Sequence, residues 1–413
     1  LLINLNNTYL STIYTVLTYI KIGPLLLKIV KVVLFLNIFY TKKGKKIRNL
    51  ANKVETLKML NNRGHTVNTK IWIVDNLVEN ISEDPKIIEA SRLLSNRELV
   101  AFPTETVYGL GANALDSEAV KKIYIAKGRP SDNPLIVHIS NKDDLEKYVE
   151  EIPKKSKILI DKFWPGPMTL VFKKKEGVFP DEITAGLDTV AIRMPSHPVA
   201  LALIENSKVP IAAPSANLSG RPSPTTAKHV TEDLFGKVAG IVDGGKTGIG
   251  LESTVIDVTG EVPIILRLGG ITKDQLEQCV GYVELDSGLI SEKQTPRSPG
   301  MKYKHYAPKA QFILVQGKPE FLQKQIEKAK YEGKKVGVYT VDERKSYYHA
   351  DIVIAGGSDS DLNTVAERMY SVLREFDHTD VNVIYGETFS VDGIGSAIMN
   401  RLLKAAGNHI ITE

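Results

Sequence analysis

A single cysteine, Cys279, is all that 413 residues contain. A lone thiol cannot build a disulfide framework or a cysteine-based zinc site, and it fits a reducing cytoplasm. The eight histidines are scattered without metal-ligand spacing, so the expectation is no protein-held metal. No Ser/His/Asp elbow and no internal repeat is present. Acids are nearly missing from the start of the chain: residues 1–70 hold twelve Lys and Arg against one acid, Glu55. Residues 71–413 then carry 41 Lys and Arg against 47 Asp and Glu, a net charge of −6. That balance argues against a broad phosphate-neutralising surface on the body of the protein.

Methionine is absent before Met59. Residues 22–40 form an apolar run of near membrane-spanning length. Lys28 and Lys31 sit near its middle, where each costs about 2.5–3.5 kcal/mol on an insertion scale. Three readings compete for this stretch. It is upstream sequence translated as protein, a signal anchor with the basic cluster 42–48 held inside, or a folded extension. The first is the expectation, with no stable membrane association.

From about residue 70 the pattern becomes α/β. Asp84-Pro85 and Asp116-Ser117 carry helix-start chemistry. Short apolar runs predict strands at 99–102, 169–172, 189–194, 210–213, 240–243, 254–258 and 264–267. Helices are predicted at 198–206 and 226–235. Strands and helices mix without strict βαβ alternation, which favours a twisted open mixed sheet over a simple doubly wound one. Residues 286–309 lack apolar periodicity and read as a linker. Beyond it, strands at 312–315, 335–339, 352–354 and 381–384 alternate with helices at 321–330, 362–376 and 396–406. That describes a small Rossmann-like domain. The expected division is an extension over 1–69, a first domain over 70–285, the linker, and a C-terminal domain over 310–413.

Five clusters carry chemistry. Pro103-Thr104-Glu105-Thr106-Val107-Tyr108-Gly109-Leu110-Gly111 is rich in hydroxyls and glycines and reads equally as a ligand turn or a structural one. Lys127-Gly128-Arg129-Pro130 through Asn133 to His138 puts cations, an amide and an imidazole within twelve residues. That set suits an anionic ligand, although His138 alone reads as a core histidine. Arg193 lies in the apolar string Thr189-Val190-Ala191-Ile192-Arg193. An arginine there needs an acid or an anionic ligand, and alternation places it opposite Val190 and Ile192. Ser215-Ala216-Asn217 leaves a strand at the edge where α/β proteins bind ligands. Glu252-Ser253-Thr254 begins another strand, and Arg267 ends one. The string from Gly240 to Thr247 fits the P-loop spacing, but strands are predicted on both sides where a helix is required.

In order along the chain, these clusters resemble the two-domain YrdC-type threonylcarbamoyl-AMP synthases. Trp164-Pro165-Gly166-Pro167-Met168-Thr169-Leu170 fits the same pattern. So do the linker string Ser298-Pro299-Gly300-Met301-Lys302-Tyr303-Lys304-His305-Tyr306-Ala307-Pro308 and the C-terminal Gly393-Ile394-Gly395-Ser396-Ala397-Ile398-Met399-Asn400-Arg401. The resemblance spans about residues 70–410, and residues 1–58 match nothing in it. It implies a YrdC-like twisted sheet with a positively lined cavity, and synthesis of threonylcarbamoyl-AMP from L-threonine, bicarbonate or CO2, and ATP. Carried over by position, Thr104, Thr106, His138, Arg193 and Ser253 are expected on threonine. Arg129, Asn133, Thr189, Ser215, Asn217, Ser223, Arg267 and Tyr303 are expected on ATP. Lys127 and Arg129 would act on the phosphates, and Mg2+ would arrive with them. A transferase that modifies tRNA would take the product. An RNA-binding module with a positive cavity is the alternative. The carbamoyl-transfer machinery of hydrogenase maturation shares the domain but needs cysteine-rich zinc modules.

Overall fold

The computed structural model describes residues 67–75, 80–289 and 305–413. The expectations for residues 1–58 and for Tyr303 fall outside the described residues. No helix among the described residues is long and apolar enough to cross a membrane.

The seven apolar runs expected between residues 70 and 285 become strands, and four further short strands bring the number to eleven. These are β1 (Lys70–Ile73), β2 (Val100–Phe102), β3 (Gly109–Asn113), β4 (Ile136–His138), β5 (Met168–Lys173) and β6 (Thr189–Arg193). They continue as β7 (Ile211–Ala212), β8 (Gly240–Asp243), β9 (Thr254–Asp257), β10 (Ile264–Arg267) and β11 (Glu284–Leu285). They join one sheet in the order β1-β8-β2-β3-β7-β4-β6-β5-β9-β10-β11. Parallel and antiparallel pairings alternate irregularly, with β4–β6 and β5–β9 parallel and β5–β6 and β9–β10 antiparallel. The sheet is therefore mixed, as the irregular strand and helix order predicts.

The inner strands of the sheet are buried, and helices pack against it, while the edge strands β1 and β11 stay largely exposed. Asp84 caps α1 (Pro85–Ser95) by accepting from the Lys86 amide, and Asp116 caps α2 (Ser117–Lys127) by accepting from Ala119. Helices α3 (Leu145–Tyr148), α4 (Lys154–Phe163), α5 (Asp181–Thr184), α6 (Pro198–Ser207), α7 (Ala227–Leu234) and α8 (Lys273–Val280) complete the first domain. Val190 and Ile192 join the main core beside Phe172 and Leu170, while Ala191 packs on the other face with Val255 and Leu266. The alternation inferred for β6 is thus present.

The C-terminal domain carries β12 (Gln311–Gln316), β13 (Val336–Thr340), β14 (Ile352–Ala355), β15 (Val383–Glu387) and β16 (Ile410–Thr412). They form an all-parallel sheet ordered β14-β13-β15-β12-β16. Helices α9 (Pro319–Tyr331), α10 (Leu362–Phe376) and α11 (Gly395–Ala405) connect the strands. Strand β16 escaped the sequence reading because Ile410-Ile411-Thr412 is too short and exposed to show a pattern.

The two domains share a core. Val107 and Leu251 of the first pack with Tyr306 and with Met369, Tyr370 and Leu402 of the second. Buried charge reinforces this contact, since Arg374 of α10 reaches Asp233 of α7, and Arg401 of α11 reaches Glu252.

Candidate active site

Ends of strands and the loops that leave them converge on one cavity. Thr106, Arg129, His138, Arg193, Ser215, Asn217, Ser253 and Arg267 line it, together with Glu252, His305 and Tyr306. Eight of the residues singled out from sequence therefore meet in space, drawn from six separate stretches of chain.

The hydroxyl-rich turn is built by Thr104. Its Oγ1 donates to the Val107 carbonyl at 2.6 Å and accepts from the Thr106 and Val107 amides. This self-closing turn consumes the Thr104 hydroxyl and points Thr106 into the cavity. Thr106 Oγ1 accepts from Arg193 Nη1 at 3.0 Å. The second half of the stretch is strand β3 and not turn. Gly111 has its reason there: a Cβ would meet the Phe102 ring at 2.7 Å and Ile211 at 3.0 Å. Its lack of a side chain serves packing against Phe102, not approach to a ligand.

Arg193 ends β6 and is only 4 % exposed. Nε donates to the Gly166 carbonyl at 3.2 Å, and Nη2 lies 2.7 Å from Glu105 Oε1. That last contact is a charge contact without directed hydrogen bonding, because Nη2 and both Glu105 oxygens lack a hydrogen-bond partner. Beside it stands His138 at the end of β4, paired in register with Arg193. Burial, with Arg193 and Arg267 alongside, pushes its imidazole down to about 3. It is neutral at pH 7, and its buried Nδ1 has no hydrogen-bond partner.

Ser253 and Arg267 form the opposite wall. Arg267 donates from Nε to the Ser253 carbonyl and from Nη2 to Ser253 Oγ, both at 3.0 Å. Thr169 meets the same Oγ at 2.7 Å. Burial pulls the Arg267 guanidinium down to about 10, which leaves it charged at neutral pH. Arg129, after α2, holds its loop through Nη2 on the Asn133 and Pro134 carbonyls.

Besides Thr104, which closes its own turn, four expected residues stand away from the lining. Lys127 is buried and donates to the carbonyls of Ser215 and Asn217. Burial, then Arg129, lowers its ammonium well below the usual lysine range. It braces the Ser215–Asn217 loop from behind. Asn133 is buried one residue short of the lining, with Oδ1 unpartnered. Thr189 lies at the far end of β6, four residues or roughly 13 Å from Arg193. Ser223 donates to Glu252 Oε1 at 2.7 Å.

Glu252 is the main feature that sequence reasoning missed. It lines the cavity and also accepts from Tyr370 at 2.9 Å and Arg401 at 3.0 Å. Burial alone would raise its carboxyl, but Arg401, Arg267 and the Ser223 hydroxyl bring it down to about 2. A folded-state value below the ordinary 4.5 contributes stability above pH 4.5, which is lost as pH falls toward 2. The size is about 3 kcal/mol at roughly 1.4 kcal/mol per unit. Unfolding free energies of the protein and of Glu252→Gln should therefore differ at pH 6 and converge between pH 4.5 and 2. A gap independent of pH would contradict this.

A mixed α/β domain with an arginine-lined cavity, to which His305 and Tyr306 contribute, joined to a Rossmann-like domain, defines a two-domain architecture with an anion-suited site. Comparison with known proteins gives the family. A family model described as "Telomere recombination", the Sua5/YciO/YrdC domain, matches residues 92–269. A second, described as "Threonylcarbamoyl-AMP synthase, C-terminal domain", matches residues 271–407. The Bacillus subtilis threonylcarbamoyl-AMP synthase is 54% identical over 343 residues, covering 83% of this chain and 99% of the relative. That of Pyrococcus abyssi is 50% identical over 344 residues, covering 82% and 99%. A crystal structure of P. abyssi Sua5 complexed with L-threonine superposes with a TM-score of 0.78 at 48% identity, covering 84% of this chain and 100% of that one. The chain belongs to the two-domain threonylcarbamoyl-AMP synthase family, and it is an enzyme.

Proposed function

We propose that the protein makes threonylcarbamoyl-AMP and pyrophosphate from L-threonine, bicarbonate or CO2, and ATP, as a nucleotidyltransferase that supplies tRNA modification. The observation that carries this reading is the cavity itself. Three guanidinium groups, Arg129, Arg193 and Arg267, converge there with a neutral imidazole and the hydroxyls of Thr106 and Ser253. Two anionic substrates must be held close together in a low dielectric, and that costs Coulomb energy unless cations offset it.

Threonine binds with its carboxylate toward Arg193 and its polar groups toward His138, Thr106 and Ser253. Its amine adds to CO2 and loses a proton, giving a carbamate. A carbamate oxygen attacks the α-phosphorus of ATP, the bond to the β-phosphate oxygen breaks, and pyrophosphate leaves. Arg129 and Arg267 neutralise the phosphates, with Ser215 and Asn217 beside them. Lys127 acts indirectly, by holding that loop. Catalysis is then positioning and charge stabilisation, with no covalent enzyme intermediate. The neutral state of His138 suits this arrangement, because it adds no charge beside Arg193.

No group of three or more acidic, histidine or cysteine side chains that could hold a metal exists among the described residues. The acid of the cavity lining, Glu252, is engaged by Arg401, and Glu105 behind the lining is engaged by Arg193. The expected Mg2+ would arrive with the ATP phosphates and would supply charge neutralisation there. The product passes to a partner transferase that acts on tRNA.

Incubation with ATP, labelled bicarbonate and threonine should yield a labelled adenylate and one equivalent of pyrophosphate. Absence of the labelled adenylate, together with RNA binding that falls steeply with salt, would overturn this reading in favour of an RNA-binding module.

A further inference from the structure

Arg401 sits on α11 of the C-terminal domain, fully buried, and does not line the cavity. Its Nε donates to Glu252 Oε2 at 3.0 Å, and its Nη2 donates to the Leu268 carbonyl at 2.6 Å. Glu252 immediately precedes Ser253, and Leu268 immediately follows Arg267. Ser253 and Arg267 are the two wall residues bonded to each other across the ends of β9 and β10. One guanidinium from the second domain thus spans both strand ends that carry the wall.

The surroundings concentrate on the same point. Tyr370 of α10 donates to the Glu252 carboxylate, and Ser223 donates to it from the first domain. Gly269 brings the chain after Leu268 flat against the backbone of residues 252–254, where a Cβ would collide with the Glu252 carbonyl. The β9–β10 ladder shifts register between Ile265 and Arg267, so regular pairing weakens where the wall residues lie. A strand end without regular pairing frays unless something else ties it.

We propose that Arg401 is a positioning residue for the reaction. By clamping Glu252 and Leu268 it fixes the Ser253–Arg267 pair toward the substrates, and so makes the C-terminal domain part of the working site. The inference rests on the synthase activity proposed above. A planar fork reaches two acceptors in fixed directions, which a lysine ammonium does not reproduce. The rival account is a strut that joins the domains and leaves the wall unaffected.

The test uses the full chain with Arg401→Gln, Arg401→Lys, Glu252→Gln and the double variant Arg401→Gln/Glu252→Gln. Pyrophosphate release gives KM and kcat, calorimetry gives ATP affinity without threonine, and thermal scans give Tm. Arg401→Gln should raise both substrate KM values about tenfold, the factor that 1.4 kcal/mol represents, with kcat changed much less. Arg401→Lys should recover only part of that loss. The double variant should be no worse than the poorer single variant, because both changes break one contact. A fall in Tm with unchanged KM and unchanged ATP affinity in both Arg401 variants would make Arg401 a strut and overturn the proposal. Should Arg401→Gln fail to fold, unchanged KM in Arg401→Lys and Glu252→Gln would overturn it equally. Absent pyrophosphate release by the unmodified protein would instead sink the synthase reading, and the calorimetric comparison would still decide the role of Arg401.

Discussion

Arg193→Ala is expected to weaken threonine binding by about 10- to 150-fold. A charge-assisted contact to a carboxylate is worth roughly 1.5–3 kcal/mol, and each 1.4 kcal/mol is a factor of ten. ATP affinity measured without threonine should change much less. Arg193→Lys should rescue only in part, because an ammonium cannot make the bidentate fork. The sequence left two partners open for this arginine, an acid of the fold or an anionic ligand, and the structure supplies the acid. Nε and Nη1 are committed to Gly166 and Thr106, and Nη2 faces Glu105. Yet the Glu105 oxygens and Nη2 make no directed hydrogen bond. Glu105, 2.7 Å from Nη2, is thus the counterion that a substrate carboxylate proposed at Arg193 would meet. Two carboxylates at one guanidinium repel, so Glu105→Gln should tighten threonine binding while Arg193→Ala abolishes most of it. Calorimetric threonine titrations and melting temperatures on both variants decide the matter. Normal threonine affinity in a destabilised Arg193→Ala protein would make the arginine purely structural.

Strand β6, which carries Arg193, is legible because its apolar alternation is strong. In β6 the pattern Val190, Ile192 against Ala191, Arg193 indicates which way the arginine faces, and the structure keeps it. Strand β3 was not legible, because Gly109-Leu110-Gly111-Ala112-Asn113 has turn composition. Its strand identity comes from pairing with β2 and β7 on either side. Lys127 was singled out for its charge, but a long side chain can turn back under its own loop, and it does so onto Ser215 and Asn217. The sequence assigns Glu252 no role of its own, since its partners Tyr370 and Arg401 lie more than a hundred residues away on another domain. One signal for that contact was present and unused. Arg401 falls between Ala397 and Ala405 at helical spacing, beside Ile398 and Leu402, on the apolar stripe of α11. The reasoning applied to Arg193 applies there too: an arginine on a buried face implies an acid nearby. Arg374 stands on the buried face of α10 in the same way, near Tyr370 and Leu373.

Arg374→Ala is expected to cost about 3–5 kcal/mol of unfolding free energy, the loss typical when one partner of a buried ion pair is removed. Arg374 is 1 % exposed and the Asp233 side chain is wholly buried. The arginine donates to Asp233 Oδ2 at 2.8 Å and, through Nε and Nη2, to the Pro222 carbonyl at 3.1 and 2.6 Å. Removing it strands a carboxylate that, among the described residues, Arg221 and the Leu218 amide then address. Arg221 is partly exposed and shared with Asp377, so it compensates poorly. The same change frees the chain at Pro222, one residue from Ser223 and close to the Ser215–Asn217 loop. Substrate affinity should therefore drop along with stability, unlike a change at a surface pair such as Lys335–Asp380. Arg374→Met combined with Asp233→Leu should recover most of the lost stability, because apolar groups fill the space without an orphaned charge. It should not recover ATP affinity, since the Pro222 carbonyl still lacks its donor. Urea unfolding and ATP titration of the single and double variants separate these terms. A single variant within 1 kcal/mol of the unmodified protein would show that Arg221 alone suffices for Asp233.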